Sequence, residues 1–145
     1  MMFESKYFKK MDFSQKQIEN YFTSAIKDMK IAEKYDDPEV RFQFVFNSLI
    51  KFGITLIASY GYKVNSRKGH HQKVLEKMSE ILDNSDILIS SERIRKTRNT
   101  DLYDGGTIIT EKQSDEYLSF LKEVYDLSKS FLIDKDFNLS IFNIN

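Results

Sequence analysis

Residues 38–60 read PEVRFQFVFNSLIKFGITLIASY, and this stretch decides the fold. Placed on a helix, Phe42, Phe44, Val45, Phe46, Leu49, Ile50, Phe52, Ile54, Leu56 and Ile57 go nearly all the way round it instead of forming one stripe. Such a helix is central and touches neighbours on several sides. Its limits are set locally. Asp37 is a suitable N-cap, Pro38 is the chain's one proline and fits the first helical position, and Gly61 stops the helix.

Working outward, the pattern on both sides is also helical. Ser14 followed by Gln17 is a capping box that opens a helix over 14–35, with Ile18, Phe22, Ala25, Met29 and Ala32 as its apolar stripe. Residues 63–69 are polar and basic and read as a loop. A third helix over 70–82 turns Val74, Leu75, Met78, Ile81 and Leu82 inward. After a turn at Asp83, a fourth helix runs over 86–103 until Gly105 and Gly106 break it. Thr110 with Gln113 is a second capping box, opening a helix over 110–133 that carries Leu118, Leu121, Val124, Tyr125 and Ser128. The tail holds Phe137, Leu139, Ile141, Phe142 and Ile144 without a clear period, which suits packing on the bundle or on a partner. The expected fold is therefore all-α: one domain over 1–145, an antiparallel bundle of four to five helices joined by short connections.

Composition narrows the chemistry. The 145 residues include no Cys, which removes disulfides, thiolate metal sites and a Cys nucleophile and fits a cytoplasmic setting. No apolar run approaches the roughly 18 residues of a membrane span. Phe3, Tyr7 and Phe8 lie among charges with no continuous apolar segment, so no secretory signal and no membrane association are expected. Lys and Arg number 22 and so do Asp and Glu, so any attraction for nucleic acid must come from a local patch. The sequence contains no phosphate-binding loop and no Gly-x-Ser-x-Gly elbow, and its two histidines, His70 and His71, lack metal-ligand spacing. Neither a metal nor a cofactor is expected.

The informative segment is SERIRKTRNTDLYD at 91–104. On a helix, Leu88, Ser91 and Leu102 fall within roughly 40° of Arg95, and Ile87 and Arg98 within roughly 80°. Arg93, Lys96, Thr97 and Thr100 take the far side, while Asn99 and Tyr103 border the arc. An arginine on an apolar arc has three outcomes. It pairs with a carboxylate (Asp101, three residues from Arg98, is the candidate), it snorkels at the arc's edge, or it faces a cleft and takes a phosphate. The loop cations Lys63, Arg67 and Lys68, with Lys73 beyond, suit phosphate contact or a solvated surface equally. Adjacent helical residues point about 100° apart, so at most one of His70 and His71 is expected to face such a cleft, the other capping or orienting the third helix.

Arg98-Asn99 followed by Tyr103, with Arg95 before it, Gly69-His70-His71 opening the previous helix and the aromatic second helix, resembles the HEPN domains of prokaryotes over roughly residues 14–133. The resemblance implies a helical bundle that pairs face to face as a homodimer and acts in defence or toxin–antitoxin modules, many members being metal-independent endoribonucleases. It implies Arg98, Asn99 and Tyr103 as catalytic positions, and Arg95, Arg98, His70 and His71 as contacts to RNA or a nucleotide. The usual motif places a His after the Arg with four to six residues intervening. Tyr103 stands at the shortest such spacing, and a phenol with a pKa near ~10 is a poor base at neutral pH. The alternative reading is a non-catalytic module that holds a partner protein such as a nucleotidyltransferase.

Overall fold

A computed structural model of the chain describes residues 1–103 and 109–137, except for the side chains of 101–103. The expected break at Gly105 and Gly106 and most of the apolar tail lie outside the described residues. The elements are β1 (Phe8–Lys10), α1 (Gln15–Lys34), α2 (Pro38–Ser59), β2 (Tyr62–Val64), α3 (His70–Ile81), α4 (Ser85–Tyr103) and α5 (Glu111–Asp134). The helix ends follow the local signals. Ser14 and Gln17 exchange side-chain and backbone hydrogen bonds (3.1 and 2.8 Å), as do Thr110 and Gln113 (3.1 and 3.0 Å). Asp37 accepts from the amides of Glu39 and Val40 at 3.0 Å each. Asn84, rather than a residue further on, accepts from the Asp86 amide and starts α4.

The centre is α2. Phe42, Val45, Phe46, Leu49, Phe52, Leu56 and Ile57 are buried against the surrounding helices. Contrary to the expectation from uninterrupted apolar runs, α2 is long and apolar enough by length and composition to cross a membrane, and two-thirds of its most apolar window is buried inside the bundle. A central helix needs that composition as much as a spanning one does.

Two further expectations need correction. The first concerns residues 63–69. Tyr62–Val64 is a strand, paired antiparallel with Phe8–Lys10 in the register Phe8 with Val64, Lys9 with Lys63 and Lys10 with Tyr62. Gly61, at φ +81°, turns the chain out of α2, and its carbonyl accepts from the Met11 amide at 2.9 Å. The pairing carries Phe8 into the core, so the bundle has a small two-stranded sheet at one end.

The second concerns direction. α1 is antiparallel to α2: Phe22 packs on Phe52, Ser48 donates to the Ala25 carbonyl, and Arg41 donates to the Ala32 carbonyl. α3 and α4 are also antiparallel. α2 and α3, however, advance together. Phe46 meets His71, and Gly53 meets Val74 and Met78. Lys77 reaches Phe3, which packs on Tyr60. β2 and the loop after it carry the chain back along α2 before α3 begins, so a short connection here joins two helices of the same sense. α5 also runs with α2, as the pairs Phe42–Tyr117, Phe52–Tyr125 and Tyr60–Phe131 show.

Two contacts fix α2 against its neighbours. Asp28 of α1, buried, forms an ion pair with Lys51 at 2.7 Å. Gly53 lets α3 approach closely, because a Cβ there would lie 2.5 Å from Cγ1 of the fully buried Val74. In an exposed helix Gly→Ala gains about 1 kcal/mol, but overpacking a core costs about 1–3 kcal/mol. With a contact this short the cost wins. Gly53→Ala is expected to lower the melting temperature by roughly 2–8 °C, and Val74→Ala in the same chain to recover part of the loss. An unchanged or raised melting temperature for the single variant would show that α2 and α3 separate without cost.

Candidate functional site

The loop 65–69, the first turn of α3 and one face of α4 enclose a cleft of about 640 Å³, lined by Arg67, Lys68, Gly69, His70, His71, Gln72, Arg95, Arg98 and Asn99. Local sequence builds each wall. Gly69, at φ +82°, precedes α3, and no side chain caps that helix start. On α4, Ile87, Ser91 and Ile94 are buried, Arg95, Arg98 and Asn99 are half-buried, and Arg93, Lys96 and Thr100 are exposed. The buried face is turned from the expected arc towards Ile94, which is fully buried, while Leu88 is only partly so; Arg98 lies within that face and Arg95 at its edge. The structure brings Arg95, Arg98, Asn99, His70 and His71 together. Tyr103 ends α4, and its side chain, like that of Asp101, is outside the described residues, so the Arg98–Asp101 pairing also falls outside them.

The two arginines differ. Arg95 is gripped by Glu92, with Nε 3.1 and 3.3 Å from the carboxylate oxygens and Nη2 at 2.9 Å. That hydrogen bond and the Glu92 charge raise the pKa of Arg95 against the opposing effect of burial. The carboxylate partner on this arc is thus Glu92 for Arg95, one turn before it, a pair that sequence inspection passed over. Arg98 instead lies over the Phe46 ring, its guanidinium carbon 4.8 Å from the ring centre, and forms no ion pair among the described residues. Phe46 was legible as core but not as the platform for a site residue.

Both histidines line the cleft, which corrects the expectation that only one would. The 100° rule holds for Cβ directions, but His70 is the first residue of its helix and its ring is tied back. Nδ1 lies 2.7 Å from the Arg67 carbonyl oxygen. A carbonyl only accepts, so His70 donates from Nδ1 and its Nε2 is the ring's acceptor when neutral. This anchors the turn into α3, the orienting role expected of one histidine, and leaves the ring centres of His70 and His71 4.1 Å apart. His71 packs edge-on against Phe46 at 5.4 Å. Burial first, then the neighbouring His70, Arg98 and Arg95 charges, lower its pKa from 6.5 to about 4.

Of the loop cations, Arg67 and Lys68 reach the cleft. Lys63 belongs to β2. Lys73 is engaged elsewhere, with Glu4 and Glu76 at 3.4 Å each and with the Tyr7 ring. Among the described residues four cationic side chains and no carboxylate line the cleft, Glu92 standing behind Arg95. Among the described residues no group of three His, Asp or Glu is placed to hold a metal ion. What the arrangement can do is bind an anion. Guanidinium forks, an uncapped helix start and a carboxylate-free lining all favour phosphate oxygens. No family model, no curated protein and no solved structure matches the chain.

The lowered pKa of His71 makes stability depend on pH. The folded chain keeps the ring neutral down to about pH 4, whereas the unfolded chain protonates it near 6.5. In that interval the unfolded state binds more protons, so this contribution is complete above pH 6.5 and is lost as the pH falls towards 4. Denaturant unfolding at pH 7 and pH 4.5 is expected to show a smaller acid loss for His71→Gln than for the unaltered chain. Equal losses would remove His71 from the groups that set acid stability.

Proposed function

We propose that the cleft is a phosphate-binding site for RNA or a nucleotide, and that the chain is a HEPN-like component of a prokaryotic defence or toxin–antitoxin module. The observation that carries the reading is the convergence of Arg98, Asn99, His70 and His71 with Arg67 and Lys68 on one cleft whose described lining holds no carboxylate. In a chain whose formal charges cancel overall, such a concentration creates a local positive field that the composition alone does not supply. A volume of about 640 Å³ suits a mononucleotide or one nucleotide of a strand.

In this reading Arg98 is the principal phosphate ligand, Arg95 is a positioned cation held by Glu92, and Asn99 contributes polar contacts. The resemblance adds two further proposals: that Tyr103 stands where active relatives carry a proton-transferring His, and that two copies of a HEPN-like bundle pair so that the Arg-bearing faces form a shared cleft. In the rival reading, the same face holds a partner protein such as a nucleotidyltransferase and Arg98 is a packing residue.

Arg98→Ala separates the two. Charge-assisted hydrogen bonds contribute about 1.5–3 kcal/mol each, so loss of a phosphate ligand is expected to weaken binding of a labelled RNA oligonucleotide by roughly 10- to 100-fold. The stacking of Arg98 on Phe46 is worth only about 0.5–1 kcal/mol, so the melting temperature should fall by no more than a few degrees. Light scattering on the same samples should give a dimer mass. Intact RNA binding with a large drop in melting temperature would favour the packing role, and a monomer mass would remove the shared cleft.

A further inference from the structure

His70 is tied to the Arg67 carbonyl and Arg95 to Glu92, but His71 has no hydrogen-bond partner among the described residues. Neither of its ring nitrogens is taken by a protein hydrogen bond among those residues. Its position is nonetheless fixed, because Phe46 carries the His71 ring at its edge and the Arg98 guanidinium over its face, at 5.4 and 4.8 Å. One aromatic ring thus places an imidazole and a guanidinium side by side on the same cleft wall.

We propose that His71 joins Arg98 as a ligand of the bound phosphate in its imidazolium form, so that the cleft takes up one proton from solvent as the anion enters. This rests on the phosphate-binding reading above and adds a pH dependence to that site. Of the charged groups on the elements around His71, those of His70, Arg98 and Arg95 act on its ring, and the full set explains why the proton arrives with the ligand. From α3 come His70 and, one turn on, Lys73 and Glu76. The loop contributes Arg67 and Lys68, and α4 contributes Arg95, its partner Glu92, and Arg98. α2 faces the ring with Phe46, while its cations Arg41 and Lys51 are paired with Asp115 and Asp28.

Positive charge dominates around the ring, and without an anion burial and these cations hold it neutral. A neutral imidazole donates from one nitrogen only, and that donor carries no net charge. Protonation makes both nitrogens donors and makes the contact to phosphate charge-assisted. The phosphate in turn supplies the negative charge that offsets Arg95 and Arg98. Binding and protonation must then strengthen each other by the same factor.

The test uses two probes that do not titrate between pH 5 and 7.5: sulfate, standing in for an isolated terminal phosphate, and a short oligouridylate with hydroxyl ends, carrying only strand diesters. Affinity for the full chain is measured across that range, and the His71 ring carbon is titrated by NMR with and without saturating probe. Affinity is expected to strengthen by about tenfold or more between pH 7.5 and pH 5, as uptake of one proton allows. The His71 midpoint is expected to rise from near 4 by about two units or more, the shift that a tenfold gain at pH 5 requires. His70→Gln should keep the pH dependence and His71→Gln should flatten it. A response to sulfate alone assigns the site to a terminal phosphate, and a response to oligouridylate assigns it to a strand. An unmoved His71 midpoint at saturation, or a slope that survives in His71→Gln, overturns the proposal while leaving the phosphate site standing. Failure of both probes to bind at any pH overturns the phosphate reading itself.

Discussion

The contact between Gly53 of α2 and Val74 of α3 sets the geometry on which the cleft depends. The absent side chain at Gly53 allows α3 to lie against the α2 backbone. Phe46 and Gly53 are seven residues apart, so they differ by only about 20° around α2 and face the same neighbour. The approach that seats Val74 therefore also brings His71, one turn earlier on α3, onto Phe46. Arg98 of α4 then closes over the same ring. A wider spacing between α2 and α3 would separate the imidazole from the guanidinium, and the cleft would lose the wall on which its chemistry rests. The return path through β2 is part of this constraint, because it lets α3 run in the same sense as α2 and present its uncapped first turn beside Arg98.

The electrostatics of the cleft follow from unequal pairing. Elsewhere several cations have carboxylate partners: Arg41 with Asp115, Lys51 with Asp28, Lys73 with Glu4 and Glu76, Lys77 with Glu80. In the cleft only Arg95 has one, while Arg67, Lys68 and Arg98 have none among the described residues. Exposed ion pairs contribute little to stability, so the arrangement matters less for folding than for where uncompensated charge is left. Arg98 is held by an aromatic face, which orients a guanidinium without neutralising it. A cation kept in place and kept charged is what binding an anion requires.

Much of this was legible because it is local. The capping boxes at Ser14 and Thr110 and the Asp37-Pro38 restart depend on residues within one turn, and they set the helix limits to within a residue or so. The arc on α4 was legible because helical phase alone separates Arg95 and Arg98 from Arg93 and Lys96. Features that join distant segments were not. The β1–β2 pairing links three-residue strands some fifty residues apart, too short for alternation to register. The shared direction of α2 and α3 depends on how residues 61–69 travel, which no periodicity encodes. Phe46 reads as one more apolar residue until α3 and α4 are placed around it. The facing of both histidines turned on one hydrogen bond from His70 to a loop carbonyl, which the angular rule for Cβ directions does not include. Glu92–Arg95 and Arg98–Asp101 share a spacing of three, so spacing alone does not say which pair forms.

The central claim is that this one cleft, and no other surface, receives a phosphate-bearing ligand. Mapping backbone amide shifts by NMR while a short RNA oligonucleotide is added to the full chain tests it most directly. The account predicts that the largest changes fall together at residues 67–72 and 95–99, the two segments that the fold brings face to face. Changes centred instead on the Lys27, Lys30 and Lys34 face of α1, or spread evenly over surface lysines with the cleft residues unmoved, would contradict it.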